Sequence, residues 1–268
     1  MTKFAFIGAG RMASAIVGGL ISKGAAAPAE IACLGGNDDT AEMLARRTGV
    51  TACRDLPSLL ATAEIVVLAC KPQQLSGLDP KLADLTAGRL VISILAGKRL
   101  ARLSQTFTRA RNIVRAMPNT PGQIGAGITG WCTARPPSAD DRACIDTVLG
   151  ALGQMVELPE SQLDAVTALS GSGPAFLFEF VAAMREGGIA AGLPSAVSAR
   201  LAQETVLGAA RLLAATGTDP ETLRDQVTSP HGTTYEGLQR MAAHKFRDTI
   251  KETILAAKAR SEELSTEG

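Results

Sequence analysis

Short apolar runs alternate with longer amphipathic stretches through the first 158 residues. Runs at 3–8, 30–34, 64–69, 90–94 and 112–117 read as strands. Two of them, Ile65-Val66-Val67-Leu68-Ala69 and Leu90-Val91-Ile92-Ser93-Ile94, are almost continuously apolar, as parallel strands covered on both faces tend to be. The segments between, 10–23, 40–48, 55–62, 98–108 and 139–152, are long enough for helices. Such alternation predicts an α/β fold with a Rossmann-type, doubly wound parallel sheet. After Pro159 the strand signals stop, and 162–191, 195–216, 220–227, 233–243 and 246–265 read as helices. Asp219-Pro220 places an N-cap residue before a proline at the first helical position, and Gly217 is a stop for the helix before it. Phe246, Ile250 and Ile254 form an apolar stripe, with Lys251, Glu252 and Lys258 facing away. The expected organisation is an α/β domain over 1–159 and an all-α domain over 160–268. The Ala-rich helices of the second half bury little as single units, so they are expected to pack on one another or on a partner subunit.

Composition narrows the function classes. Among 268 residues, 46% are apolar, which excludes intrinsic disorder. With 27 Lys and Arg against 26 Asp and Glu, there is no general basic face for nucleic acid or an anionic membrane. An aromatic content of 3% argues against a base-stacking platform. Cys33, Cys53, Cys70, Cys132 and Cys144 form no C-x-x-C pair and the chain has two histidines, so no metal site is expected. Scattered, odd-numbered cysteines suit a reducing, cytoplasmic compartment. No apolar run is read as reaching the roughly 18 residues of a membrane helix. Lys3 followed by an apolar stretch and Ala25-Ala26-Ala27 imitates a signal peptide, but Arg11 interrupts it.

The segment from Phe4 to Ala13 reads as strand, tight turn and helix start, and fits G-x-G-x-x-A. Gly8 permits the turn, Gly10 lets the backbone approach a pyrophosphate, and Ala13 keeps the helix close to the strand. The helix start adds amide donors and partial positive charge. A ribose-binding acid is expected about 20 residues on. There the chain reads Leu34-Gly35-Gly36-Asn37-Asp38-Asp39; the two aspartates either meet the ribose or cap the helix starting near Thr40. No Arg or Lys stands in this loop to clamp a 2′-phosphate. Ala69-Cys70-Lys71-Pro72, Ile94-Leu95-Ala96-Gly97 and Met117-Pro118-Asn119-Thr120-Pro121 each follow a strand, where ligands of open α/β sheets bind. Lys71 either reaches a cofactor or is a solvated loop lysine. Asn119 either bonds a ribose or nicotinamide amide, or closes an Asx turn.

In the helical half, Leu169-Ser170-Gly171-Ser172-Gly173-Pro174-Ala175-Phe176 is expected to interrupt a helix as a loop. Val227-Thr228-Ser229-Pro230-His231-Gly232-Thr233-Thr234-Tyr235 leads into the next helix. Free amides at a helix start, with small hydroxyl side chains, can receive a carboxylate. The plainer readings are a Gly/Pro kink for the first and an N-cap box built on Ser229 or Thr233 for the second. His231, Tyr235 and His244 are the only His and Tyr residues, and no Ser–His–Asp spacing is present.

The set FIGAGRMASAI, ACKP, RAMPNTP, AVTALSGSGPAF and LRDQVTSPHGTTYEGL resembles pyrroline-5-carboxylate reductase over residues 3 to about 264. The resemblance implies reduction of 1-pyrroline-5-carboxylate to L-proline with NADPH or NADH. It also implies a homodimer or larger homo-oligomer whose helical domains interlock, with substrate between the subunits. On the cofactor side it places Gly8, Ala9, Gly10, Arg11, Met12, Ala13, Ala69, Cys70, Lys71, Pro72, Ile94, Ala96 and Asn119, joined by Gly36 and Asn37 of the acidic loop. On the substrate side it places Thr167, Ser170, Ser229, Gly232, Thr233 and Thr234, with the Thr234 hydroxyl meeting the ring nitrogen. Two departures stand out: His231 where the family usually has glycine, and the aspartates of the 35–39 loop. The rival readings are a β-hydroxyacid dehydrogenase or imine reductase of similar build, and a non-catalytic dinucleotide sensor.

Overall fold

The computed structural model describes residues 2–77 and 81–266. The chain divides into two compact units: residues up to Ser172 together with those from Ala256 on, and Gly173–Leu255 between them. The end of the last helix thus returns to the first unit, and the division falls later than the 159/160 boundary expected from the strand signals.

The first unit is built on one eight-stranded sheet. Its strands are β1 (Phe4–Ile7), β2 (Ile31–Leu34), β3 (Thr51–Ala52), β4 (Ile65–Leu68), β5 (Leu90–Ser93), β6 (Asn112–Met117), β7 (Gly127–Thr133) and β8 (Gly153–Glu157), in the order β3-β2-β1-β4-β5-β6-β7-β8. Its helices are α1 (Arg11–Ser22), α2 (Thr40–Thr48), α3 (Leu56–Leu60), α4 (Leu82–Leu85), α5 (Leu100–Thr106), α6 (Ala139–Gly150) and α7 (Leu163–Val166). The five expected strands are present, four of them with trimmed ends and β6 over its expected length. Alternate residues of β1 feed opposite faces: Phe4 and Phe6 join Ile16, Leu20 and Trp131, whereas Ala5 and Ile7 join Leu59, Val66 and Phe107. Both faces are therefore dry, as the continuous apolar runs require.

Three strands escaped the pattern. β3 is two residues long, and β7 and β8 carry glycines and polar positions at the far edge. β6 pairs with β7 antiparallel, while the other pairings are parallel. Only residues 118–126 connect β6 to β7. A parallel crossover takes about a dozen residues or more, so this proline-stiffened link can only turn the chain back. The α6 crossover then restores a parallel β7–β8 pair.

The second unit holds α8 (Gly173–Ala190), α9 (Ser195–Thr216), α10 (Pro220–Gln226), α11 (Thr233–Ala243) and the first half of α12 (Phe246–Thr266). The expected loop at 169–176 does not form. Thr167–Gly171 is one widened, π-type turn closed by Ser172 N–H on the Thr167 carbonyl at 2.8 Å, and helix resumes at Gly173. Pro174 lies in the first turn of α8, where a missing N–H costs nothing; that is why a Gly/Pro cluster failed to break the helix. Continuity has a second consequence. The helical span Glu160–Ala190 is long and apolar enough, by length and composition, to cross a membrane, which corrects the expectation that no run reaches that length. On α8 and α9 Leu177, Phe178, Phe180, Ile189, Leu201 and Leu212 are exposed.

Gly153 opens β8 at φ +133°, a conformation essentially reserved for glycine. A Cβ there would overlap the Gly127 carbonyl oxygen and stand 2.8 Å from the Gly127 nitrogen. Gly153→Ala is expected to cost about 2–4 kcal/mol. Gly24→Ala, at φ +66° with open space around it, should cost only about 1 kcal/mol. Urea denaturation of both variants checks the contrast.

Candidate active site

The first turn of the sheet is set by a backbone collision avoided. Gly8 leaves β1 at φ +104°, and a Cβ on it would lie 2.5 Å from the carbonyl carbon and oxygen of Ala69 and from the nitrogen of Cys70. The turn following β1 therefore rests directly on the chain leaving β4. Gly8 N–H donates to Leu34 O and Ala69 N–H to Ile7 O, each at 2.8 Å, so three strand ends are tied together. Gly10 caps α1 with extended backbone (φ −70°, ψ −171°) and no side-chain bond. A Cβ at Gly10 would meet nothing within 4 Å. Ala13 is fully buried and Met12 packs on the same core.

A cleft of about 560 Å³ lies over this turn. It brings together Gly8, Ala9, Gly10, Gly36, Asn37, Ala69, Cys70 and Lys71 from the carboxyl ends of β1, β2 and β4. These are the strand ends where the order runs outward in both directions from β1, the position at which such sheets bind nucleotides. The open face at Gly10, the unpartnered first amides of α1 and the cleft size fit a dinucleotide whose pyrophosphate rests on the helix start. Leu56, Thr40 and Gln74 also line the cleft and were not picked out from sequence. Gln74 had a readable signal, three residues beyond Lys71. Its Oε1 accepts the Lys71 N–H at 2.9 Å and its own N–H donates to Lys71 O at 2.9 Å, closing the loop that Pro72 begins.

The acidic loop resolves toward capping. The Asp38 carboxylate accepts from Thr40 N–H at 3.2 Å and from the Thr40 hydroxyl at 2.5 Å. These bonds, with help from the Lys71 charge, hold its pKa below the ordinary carboxylate value. Asp39 is exposed, at the N-cap position, without a side-chain cap bond. Lys71 is exposed. Burial pushes the Cys70 thiol up from its ordinary value, so the cleft holds no ready thiolate.

Other cofactor-side residues stand outside the cleft. Arg11 is exposed and lines a neighbouring groove with Arg47 and Gln123. Pro72 starts a 3-10 turn. Ile94 and the exposed Ala96 follow β5. Asn119 is buried, and its Oδ1 accepts Ile128 N–H at 3.0 Å; it ties the β6–β7 turn rather than closing a local Asx turn.

The substrate-side residues fall in two sets, one in each unit. In the first, the Thr167 hydroxyl donates to Leu163 O at 2.8 Å and the Ser170 hydroxyl to Val166 O at 3.0 Å, both within the π-type turn and its lead-in. Turns of this kind frequently occur at functional positions. In the second, α11 is capped by Gly232 with no side-chain bond, so the N-cap box on Ser229 or Thr233 is not formed. Thr233 and Thr234 open the helix, exposed, with its first amides free. Gly232 N–H donates to Ser229 O at 3.0 Å. His231 sits at φ +56°, the left-handed conformation for which glycine is the usual choice, and its ring meets Tyr235 edge-on at 5.8 Å.

A phosphate turn on a doubly wound sheet, followed by an all-helical unit, defines the class: a two-domain, dinucleotide-dependent oxidoreductase fold. Comparison with known proteins narrows it. Residues 160–264 match the family model for pyrroline-5-carboxylate reductase dimerisation, and residues 3–97 match that for NADP oxidoreductase, coenzyme F420-dependent. A pyrroline-5-carboxylate reductase of Synechocystis is 41% identical, with 96% of each chain covered. The pyrroline-5-carboxylate reductase structure from Coxiella burnetii superposes with TM-score 0.91 at 34% identity, covering 98% of both chains. A Plasmodium falciparum pyrroline carboxylate reductase with NADP bound shares the fold at TM-score 0.87 and 24% identity, again over 98% of each. The chain belongs to the pyrroline-5-carboxylate reductase family.

Because Gly10 has ordinary extended backbone and free space, a larger residue there should fold. Gly10→Val is expected to weaken cofactor binding a hundredfold or more, about 2.7 kcal/mol at roughly 1.4 per decade. Reduced-cofactor fluorescence titration measures it; unchanged affinity would place the pyrophosphate elsewhere.

Proposed function

We propose that the chain reduces 1-pyrroline-5-carboxylate to L-proline with NADPH or NADH, the closing reduction of proline synthesis. The observation that carries this reading is 41% and 34% identity to pyrroline-5-carboxylate reductases over nearly the full length, joined to a glycine-lined cleft of dinucleotide size. The reduced nicotinamide, when bound, supplies a hydride to carbon 5 of the ring.

The chain's own residues bind and orient. Gly8, Ala9 and Gly10 line the cleft at the start of α1 and would hold the pyrophosphate there with the first amides of Arg11 and Met12, while the buried Ala13 keeps the helix close to the sheet. Gly36 and Asn37 would take the adenosine ribose, Ala69, Cys70 and Lys71 wall the cleft with Pro72 stiffening the loop beside it, and Ile94, Ala96 and Asn119 would serve the nicotinamide end. Ser229 and Gly232 frame the start of α11, whose free first amides, from Thr233 on, receive the carboxylate where the helix dipole favours an anion. The Thr234 hydroxyl meets the ring nitrogen, and Thr167 and Ser170 shape the ring's surroundings. A protonated iminium is already a good hydride acceptor, so no strong general acid is needed. That accounts for a chain with two histidines and one tyrosine. Catalysis here is chiefly positioning. A β-hydroxyacid dehydrogenase would call for a lysine or an aspartate in α8, whose charged residues are Glu179, Arg185 and Glu186.

The exposed apolar residues of α8 and α9, within the span matching the dimerisation model, support a homodimer or larger homo-oligomer and account for the apolar 160–190 helix without a membrane. Five free cysteines favour a reducing compartment, the cytoplasm. Neither nucleic acid nor membrane is proposed as a partner.

Oxidation of reduced cofactor on adding pyrroline carboxylate, but not 3-oxo acids, tests the activity. Thr234→Ala should lower turnover about 10–100-fold with cofactor affinity intact, since one neutral hydrogen bond is worth about 0.5–1.5 kcal/mol and positioning adds to it. His231→Gly should cost far less, because it relieves the left-handed backbone; if it abolishes activity while Thr234→Ala does not, the two roles are inverted.

Cofactor choice has no dominant determinant in the 35–39 loop. Asp38 is engaged with Thr40, and the loop itself carries no Arg or Lys. NADPH and NADH should both work, with kcat/KM differing by less than about 30-fold, or ~2 kcal/mol, and NADPH ahead. Parallel kinetics with the two cofactors decide it, and a preference above about a thousandfold would require a contact outside this loop.

A further inference from the structure

Four charged side chains, two of each sign, are drawn together beneath the loop that follows β5. Arg115 projects from β6 with its side chain 4% exposed; its guanidinium lies 3.0 Å from Glu160 and 3.6 Å from Asp164. Asp164, on α7, has a side chain 7% exposed. Its Oδ1 accepts the Ser261 hydroxyl at 2.8 Å and the Ser265 hydroxyl at 3.2 Å, and its Oδ2 faces Arg99 at 3.6 Å. Glu160 also accepts Leu100 N–H, at the start of α5, at 2.7 Å.

These bonds tie four chain segments that sequence keeps far apart. Arg115 is the sheet partner of Ser93, the residue before the Ile94–Gly97 loop. Arg99 and Leu100 close that loop's far end. Gly97 leaves only 3.3 Å between a would-be Cβ and the Leu264 carbonyl oxygen of α12, so the last turns of α12 form the loop's wall. Asp164 stands one turn ahead of Thr167 in the helical run that widens into the π-type turn. A buried carboxylate must be paired and hydrogen-bonded to stay charged, and every partner here belongs to a segment that borders the loop or the turn.

We propose that Asp164 is a positioning residue: it locks the turn bearing Thr167 and Ser170 in register with the Ile94–Gly97 loop, using the end of α12 as the third support. This rests on the functional reading above, and it assigns the residues Ser261–Ser265 to the catalytic architecture although they lie far from every motif. Asp164 touches neither substrate nor cofactor in this role. Its loss acts through the distance across which hydride moves, for which a displacement near 1 Å can cost on the order of a hundredfold.

The test uses the full-length enzyme and two variants. Asp164→Asn keeps the shape and one acceptor but removes the charge held by Arg99 and Arg115. The double variant Ser261→Ala, Ser265→Ala removes only neutral hydrogen bonds and preserves the ion pairs, so it remains informative if the first fails to fold. Turnover should fall about 10–100-fold in Asp164→Asn and about 3–10-fold in the serine pair. Cofactor affinity, by fluorescence, should stay within about twofold. The primary deuterium isotope effect on kcat, from cofactor deuterated at nicotinamide carbon 4, should rise in both. A variant that is merely less folded would lower the active fraction and leave the isotope effect unchanged. Wild-type kcat and isotope effect in a folded serine-pair variant would overturn the proposal, as would a loss confined to cofactor affinity. An inactive wild-type enzyme would instead strike the functional reading.

Discussion

The turn after β1 can form only because two backbones touch where a side chain would otherwise stand. At Gly8 the chain crosses the end of β4 at a distance that excludes a Cβ, and the ladder bonds Gly8–Leu34 and Ala69–Ile7 fix the three strand ends around it. That contact sets where α1 begins, leaves Gly10 facing open space, and brings the Ala69–Lys71 stretch to the cleft. The glycine turn, the 35–39 loop and the Lys71 loop meet in one cleft around this close approach. Gly8 is therefore a folding requirement, while Gly10 is unhindered by its own protein, as its proposed role at the pyrophosphate requires.

How far this was legible from sequence depended on how local the cause was. The parallel strands declared themselves because a strand covered on both faces has nowhere to place polar side chains, and the glycine turn because its spacing carries its geometry. β7 and β8 were silent, since an edge pair with Gly127, Gly130 and Gly153 lacks that signature. The π-type turn runs against its local signal: Gly171, Gly173 and Pro174 look like breakers in isolation, yet Pro174 in a first turn removes no hydrogen bond. The surroundings of Asp38 could not be read from sequence: its carboxylate bonds Thr40, two residues away, and also lines the cleft. The Asp164 cluster could not be seen at all. Its partners Arg99, Arg115 and Ser261 span most of the chain, and only the folded sheet and the returning α12 bring them together.

The two units solve different problems. The sheet buries its apolar residues within the chain, with Phe4, Phe6, Trp131 and Phe107 almost inaccessible. The helical unit leaves Leu177, Phe178, Leu201 and Leu212 exposed, and exposure on that scale calls for a covering surface. A second copy of the same chain supplies it in the proposed oligomer. The chemistry matches this economy of reactive groups. Reduction of an iminium asks for placement of a ring and a nicotinamide, and the chain offers backbone amides, small hydroxyls and rigid turns in place of a strong acid or base.

The central claim is a hydride delivered to carbon 5 of pyrroline-5-carboxylate. Incubating the enzyme with that substrate and NADPH deuterated at nicotinamide carbon 4, on the face the enzyme uses, then examining the product by NMR, tests it directly. The expected product is L-proline carrying a single deuterium at carbon 5. Proline formed without deuterium from both faces of labelled cofactor, or cofactor bound with no proline formed, would contradict it.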